Sequence, residues 1–246
     1  MRNDHKKIIG KLYGIGIGPG DPKLLTIRAK EILDMVDTIF VPKARDDGKS
    51  CARSIVEAAT SKSKNFIELT FLMTNDHKKL ESCWLGAARR IVKELKRKRT
   101  AAFVTIGDPS IYSTYTYLIE TLRDNFPGAL VETIPGVTSF NAAAASCGLP
   151  LLKGNEKLAV LPVTGGLKDL RSTLKKFDTV VLMKIGSKLG KVIHLLKKIG
   201  LIKNSILISH AGQTGEKIIR DLSSLKDKKL GYLSVIIVRQ KIGNKI

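Results

Sequence analysis

The chain has 246 residues, of which 43 are Lys or Arg and 22 Asp or Glu, giving a formal net charge of +21, and 43% are hydrophobic. That apolar share excludes a disordered chain, and the length suits one large domain or two small ones, each able to bury a core. No apolar run approaches the ~18 residues that cross a bilayer, so no membrane span is expected. The polar, basic start (Met1 to Lys7) is followed by no long apolar segment and cleavage site, so no secretory signal is expected either. Three scattered cysteines, Cys51, Cys83 and Cys147, include no CxxC. They indicate neither a disulfide framework nor a metal site, and the reducing cytoplasm is the expected location. Residues 151–246 hold 20 of the basic residues but only 6 of the acidic ones. Such an excess attracts nucleic acid, an acidic membrane surface or a polycarboxylate small molecule without choosing among them, and a merely solvated surface is the plain alternative.

In chain order, Ile8–Gly16 reads as a strand ending in glycines, Leu24–Met35 as an amphipathic helix, and Thr38–Val41 as a short buried strand stopped by Pro42. Helix Ser50–Ala59, strand Phe66–Met73 and a long helix Asp76–Arg97, capped by Asn75 or Asp76, follow. Strand Thr100–Ile106 leads through a loop at Gly107 to a helix around Thr116–Asn125. Strand Leu130–Ile134 closes at Pro135-Gly136, and Ser139–Cys147 is a helix of small residues. Leu149–Lys157, with Pro150, Gly154 and Asn155, is the linker candidate. Beyond it the pattern restarts as strand Leu158–Pro162, helix Leu167–Lys176, strand Thr179–Met183, helix Leu189–Ile199 and strand Ser205–Ser209, with Glu216–Arg220 and Tyr232–Val238 as short final strands. This alternation predicts two α/β domains, residues 8–149 and 157–246 with the linker at about 150–156, with mostly parallel sheets and a cleft between them.

Four glycines fall within seven residues at Gly14, Gly16, Gly18 and Gly20. They do not form a dinucleotide fingerprint: read from Gly14 the third glycine position is Pro19, read from Gly16 it is Asp21, and no acidic residue ends the second strand. Gly48-Lys49-Ser50 is likewise no phosphate-binding loop, because Lys43 stands where the pattern needs glycine. What remains is a loop suited to close backbone approach, with Asp21 able to cap the helix that starts near Lys23. Gly107-Asp108-Pro109 ends another strand, where Gly107 lets a ligand lie against the main chain and Asp108 offers an acceptor. Thr138 and Ser139 bring two hydroxyls to a helix start, for capping or for binding.

Gly16-Ile17-Gly18-Pro19-Gly20-Asp21-Pro22 with Leu25-Thr26, then Gly107-Asp108-Pro109, then Pro135-Gly136-Val137-Thr138-Ser139, in this order, resemble the tetrapyrrole methylase family. Finer matches lie at Gly10–Gly14, Val41–Arg45, Gly107–Thr114, Thr133–Phe140 and Ser209-His210-Ala211-Gly212. They resemble the members that methylate C20 of precorrin-2 or of its cobalt complex, cobalt-factor II, in cobalamin (porphyrin-type) biosynthesis. The resemblance spans residues ~8 to ~238.

It implies a homodimeric, S-adenosyl-L-methionine-dependent transferase that releases S-adenosyl-L-homocysteine. Its cofactor residues would be Pro19, Ile106, Gly107, Asp108, Ile111, Thr138 and Ser139, joined by Met183 and Ala211 from the second domain. Methyl transfer from a sulfonium to an electron-rich carbon needs little acid–base help and depends on alignment, which agrees with the scatter of His5, His77, His194 and His210. A proton must still leave after methylation, and Asp108, Tyr112 and His210 are candidates by location. Precorrin-2 carries eight carboxylates, for which Lys43, Arg45, Arg53, Tyr112 and Lys184 are the candidate contacts. The basic run Lys93–Arg99 is read as the favourably charged end of a helix rather than a nucleic-acid contact. Neither nucleic acid nor membrane is expected as a partner. The rivals are a ribosomal-RNA methyltransferase of the same fold, with the three tyrosines of Tyr112–Tyr117 stacking on bases, and a non-enzymatic basic module that binds nucleic acid.

Overall fold

A computed structural model describes residues 10–43, 50–60, 63–72, 74, 76–97, 99–164, 167–225 and 233–240. The chain divides into two units, Met1–Thr138 and Ser139–Ile246. The first contains β1 (Lys11–Gly16), α1 (Ile27–Met35), β2 (Thr38–Lys43), α2 (Cys51–Ala59), β3 (Asn65–Thr70), α3 (His77–Leu95), β4 (Ala101–Thr105), α4 (Thr114–Asn125) and β5 (Leu130–Ile134). Its strands form one sheet in the order β3-β2-β4-β1-β5, every neighbouring pair parallel.

Strand alternation sorts the core. Leu12, Phe40, Ala101 and Phe103 face α3 and α4, whereas Tyr13, Ile15, Ile39, Val41, Ala102 and Val104 face α1 and α2. Both faces are covered, so the central strands read as continuous apolar runs, as parallel sheets do. Helix starts are fixed by side chains: Asp21 Oδ1 accepts from Lys23 N (2.9 Å), Thr26 Oγ1 from Ala29 N (3.1 Å) and Asp76 Oδ1 from Lys79 N (3.3 Å). At the other end of α1, Lys64 Nζ donates to the carbonyls of Asp34 and Val36 (2.7 and 2.9 Å).

Pro42 does not stop β2, which runs to Lys43 with Pro42 opposite Leu69 of β3. The pairing with β4 covers only Thr38 to Phe40, so Pro42 sits where the strand has one neighbour and its missing N–H disrupts no ladder. The basic end of α3 folds around a nearly buried carboxylate: Arg97 and Arg99 lie 3.0 and 3.7 Å from Glu94. Two of the tyrosines after β4 make ring contacts within the fold, Tyr115 buried and Tyr117 on the surface. The Tyr115 ring covers Gly14, where a Cβ would come within 2.1 Å of it, and its hydroxyl is 2.7 Å from Thr133 Oγ1. Tyr117 stacks on Trp84 at 5.4 Å between centroids.

The second unit holds α5 (Ser139–Ser146), β6 (Leu158–Pro162), α6 (Lys168–Lys176), β7 (Thr179–Met183), α7 (Leu189–Lys198), β8 (Ser205–Ser209), β9 (Lys217–Ile219) and β10 (Ser234–Arg239). Its sheet runs β6-β7-β10-β8-β9. Only β6–β7 is parallel; β10 enters antiparallel between β7 and β8, and β9 pairs antiparallel with β8. The mostly parallel character expected of both sheets thus belongs to the first. For β9 the reason is connectivity: β8 is followed by a short loop rather than a crossover helix, and a short return allows only antiparallel pairing. Tyr232, read as the start of the last strand, lies outside the described residues. Helix α5 packs against β10.

The segment read as a linker is tied down within this unit. Arg239, at the end of β10 and almost wholly buried, pairs with Glu156 at 2.6 Å and donates to the Pro150 carbonyl, while Thr179 Oγ1 donates to Leu151 O at 2.7 Å. Removing one partner of a buried pair leaves an uncompensated charge. Glu156→Ala is therefore expected to cost the chain about 2–3 kcal/mol, read as a lowered urea midpoint, whereas Glu57→Ala on the exposed face of α2 stays within about 0.5 kcal/mol.

Candidate functional site

Strands β1 and β4 are neighbours, yet β1 leads into α1 on one face of the sheet and β4 into α4 on the other. Where the chain leaves adjacent strand ends in opposite directions, a crevice opens beyond their carboxyl ends, the place where open α/β sheets bind ligands. The two loops there are joined backbone to backbone. Ile17 N donates to Thr105 O (3.0 Å), Gly107 N to Gly18 O (2.7 Å) and Gly18 N to Gly107 O (3.3 Å). The turn after β5 closes in as a third member. A Cβ on Gly16 would lie 2.7 Å from both Gly107 O and Gly136 N, and one on Gly136 would lie 2.3 Å from Gly107 O. At Gly16 and Gly136 the close backbone approach is that of the neighbouring loops themselves.

Asp108 locks this junction. Its Oδ2 accepts from Gly136 N (2.9 Å), and its Oδ1 from Ser110 N (2.8 Å) and the Ser110 hydroxyl. Burial pushes the Asp108 carboxyl up, but the hydrogen bonds from the Ser110 hydroxyl, the Gly136 N–H and the Ser110 N–H together outweigh it and hold it below its ordinary value. Both oxygens are committed and the group stays ionised, which suits a brace and not a proton acceptor at neutral pH. Around the junction, Pro19 and Gly107 are buried and Ile106, Ile111 and Thr138 are half-buried. Ser113 caps α4 through Tyr115 N (3.1 Å) and meets Thr105 Oγ1 at 2.8 Å. Between them Tyr112 takes a left-handed backbone (φ 48°) with its ring exposed, and partial burial raises its hydroxyl pKa.

In the second unit, Met183 ends β7 half-buried, and Lys184 follows at φ 53° with its ammonium pKa lowered by burial. His210 follows β8 at φ 56°, and Ala211 after it is buried. Ser139 opens α5. A residue that the sequence reading did not single out shapes this region: Glu216 Oε2 accepts from Gly212 N (2.7 Å) and from the Ser146 hydroxyl (3.1 Å), closing the loop that carries Ala211. An acid four residues beyond a strand-end glycine was its only signal in the chain.

The candidate cations of the first unit are already paired. Lys43 lies 2.9 Å from Glu68 across the β2–β3 register, and Arg53 pairs with Glu57 at 2.7 Å while covering the Phe66 ring. Arg45 lies outside the described residues. No group of three His, Cys, Asp or Glu among the described residues is placed to hold a metal ion.

Residues 11–226 match the family described as Tetrapyrrole (Corrin/Porphyrin) Methylases. The chain is 36% identical to a probable cobalt-precorrin-2 C(20)-methyltransferase of Methanocaldococcus jannaschii, over 95% of this chain and 98% of that one. It is 34% identical to the cobalt-precorrin-2 C(20)-methyltransferase of Salmonella typhimurium, over 94% and 97%. Among solved structures, its fold matches uroporphyrin-III C-methyl transferase from Thermus thermophilus complexed with S-adenyl homocysteine, with a TM-score of 0.65 at 20% identity over 94% and 98% of the chains.

The junction makes two predictions. Gly136→Ala is expected to lower stability by about 1–3 kcal/mol by forcing the loops apart, measured by thermal unfolding. Asp108→Asn is expected to cost about 1–2 kcal/mol at pH 7. Because the folded pKa of Asp108 is depressed, the carboxylate's contribution is present above its unfolded pKa of about 4 and is lost as pH falls through the folded value. The gap between variant and wild type should therefore narrow in acid, a trend that urea titrations at pH 7 and pH 3 will read.

Proposed function

Because the chain belongs to the tetrapyrrole methylase family, we propose that it transfers a methyl group from S-adenosyl-L-methionine to C20 of precorrin-2 or its cobalt complex, in cobalamin biosynthesis. The carrying observation is near-full-length identity above one third to a relative so named, on a first sheet whose β1, β4 and β5 ends meet at a switch point. The residues there suit an adenosyl ligand. They combine half-buried apolar side chains at Ile106 and Ile111 with the hydroxyl of Thr138, and they lack a phosphate-binding loop.

When bound, S-adenosyl-L-methionine supplies a methyl group activated by its sulfonium charge. The protein's share is placement. In this reading Pro19, Ile106, Gly107, Asp108, Ile111 and Thr138 hold the cofactor in the first unit, and Ser139, Met183 and Ala211 supply the remaining contacts. The loops that carry the first group are pinned to one another before any ligand arrives, so little entropy is lost on binding, and orientation alone can contribute ~7–11 kcal/mol in the best cases. Asp108 acts by bracing. Lys184 is the described cation proposed to meet a substrate carboxylate.

The reading includes a homodimer acting in the cytoplasm, without nucleic-acid or membrane partners. No described helix is long and apolar enough to cross a membrane. The net charge of +21 favours RNA, while burial of Tyr115 removes one of the three rings suggested for base stacking and Tyr117 already stacks one face on Trp84.

Methyl-labelled S-adenosyl-L-methionine offered with precorrin-2, with its cobalt complex and with ribosomal RNA is expected to label a tetrapyrrole by one methyl, read by mass spectrometry. The preferred form identifies the route. Label on RNA with untouched tetrapyrroles would overturn the substrate. RNA affinity should in that case fall by orders of magnitude between low and high salt.

A further inference from the structure

Three described residues other than glycine adopt a positive φ, namely Tyr112, Lys184 and His210. Such backbones cost energy for a residue with a Cβ and persist where the surroundings impose them. Two of the three belong to the second sheet. β7 and β8 both run antiparallel to β10, which lies between them, so Lys184 and His210 leave the same edge on either side of Ser234, the first residue of β10.

A hydrogen-bonded chain runs along that edge. Ser234 and Ser209 are direct partners in the β10–β8 register, and both are buried. The Ser234 hydroxyl donates to Ser209 Oγ (3.2 Å), and Ser209 Oγ lies 2.8 Å from His210 Nδ1. A hydroxyl has one proton and two lone pairs, so Ser209, already accepting from Ser234, meets Nδ1 either as donor or as acceptor; as donor it leaves the ring proton on Nε2. His210 N donates to Leu233 O (2.8 Å), which holds the backbone that presents the ring. The ring is half-buried, and Nε2 meets no protein partner among the described residues.

A neutral histidine in this tautomer donates from Nε2 and cannot accept a proton there. In that tautomer an Nε2–H donor on the same strand-end edge as half-buried Lys184, in the more basic part of the chain, suits an anionic oxygen. Resting on the methyltransferase reading above, we propose that His210 binds a carboxylate of the tetrapyrrole substrate through Nε2–H, with Ser209 and Ser234 setting its tautomer, and that it is not the base that removes the proton after methylation.

The test separates this role from proton handling and from packing. In the full-length protein with 15N-labelled histidine, the His210 signal, assigned by its loss in His210→Asn, is expected to show a protonated Nε2 and an unprotonated Nδ1. Ser209→Ala should move it towards a mixture of tautomers. Asparagine tolerates the left-handed backbone but is too short to replace Nε2. His210→Asn is therefore expected to raise KM for precorrin-2 about tenfold or more, the loss of one hydrogen bond to a charged group, with kcat falling less than about twofold. Uroporphyrin III, a stable octacarboxylate, should bind the variant correspondingly more weakly in a fluorescence titration, while its octamethyl ester binds both proteins alike. A proton on Nδ1, a fall in kcat at unchanged KM, or equal losses for acid and ester would each overturn the proposal. If the wild-type protein methylates no tetrapyrrole, the functional reading fails, and the tautomer and uroporphyrin measurements still decide the role of His210.

Discussion

The first unit depends on three strand ends being allowed to touch. Gly16, Gly107 and Gly136 bring the loops after β1, β4 and β5 within main-chain contact. A Cβ on Gly16 or Gly136 would come within 2.3 to 2.8 Å of backbone atoms, which leaves no room for a side chain. The contact is backbone against backbone, so it cannot yield as a flexible side chain would. It fixes where β1 hands over to α1 and β4 to α4, and hence where the switch-point crevice opens. The Asp108 carboxylate completes the junction by accepting from two loops at once. An ionised group that would be a liability in a half-buried loop is stabilised there by three donors.

Charge is distributed on a different principle. The cations that sit near strand ends in the first unit are held by carboxylates of their own surface, Lys43 by Glu68 and Arg53 by Glu57, and the basic end of α3 is organised by Glu94. Exposed pairs of this kind contribute little to stability; their effect is to take those side chains out of contention as ready donors to a ligand. The second sheet differs. Its polar strand ends are organised by hydroxyls and by a loop-closing acid, Glu216, and two of its residues accept a left-handed backbone to remain in place.

Much of this was legible in the chain. Alternation of apolar runs and helical stretches placed the elements to within a few residues, because burial on both faces of a parallel sheet enforces long apolar strands. The caps at Asp21 and Asp76 followed from local side-chain chemistry alone. The glycine clusters marked the strand ends that matter. Their reason was not legible: only the approach of Gly107 and Gly16 shows that neighbouring main chain occupies the space beside Gly136. Pro42 misled for a similar reason, since its tolerance depends on β4 parting from β2 after Phe40.

Family, α/β class and the order of the elements were set at the level of linear order, because they follow from residue periodicity and from motifs contiguous in the chain. The partners of the polar groups were set only in three dimensions. The pairing of Arg239 with Glu156 and of Ser234 with Ser209 joins strand ends brought together by an antiparallel insertion of β10. Hydrogen bonding acts over about 3 Å in space, and linear order does not encode that distance until the sheet has closed.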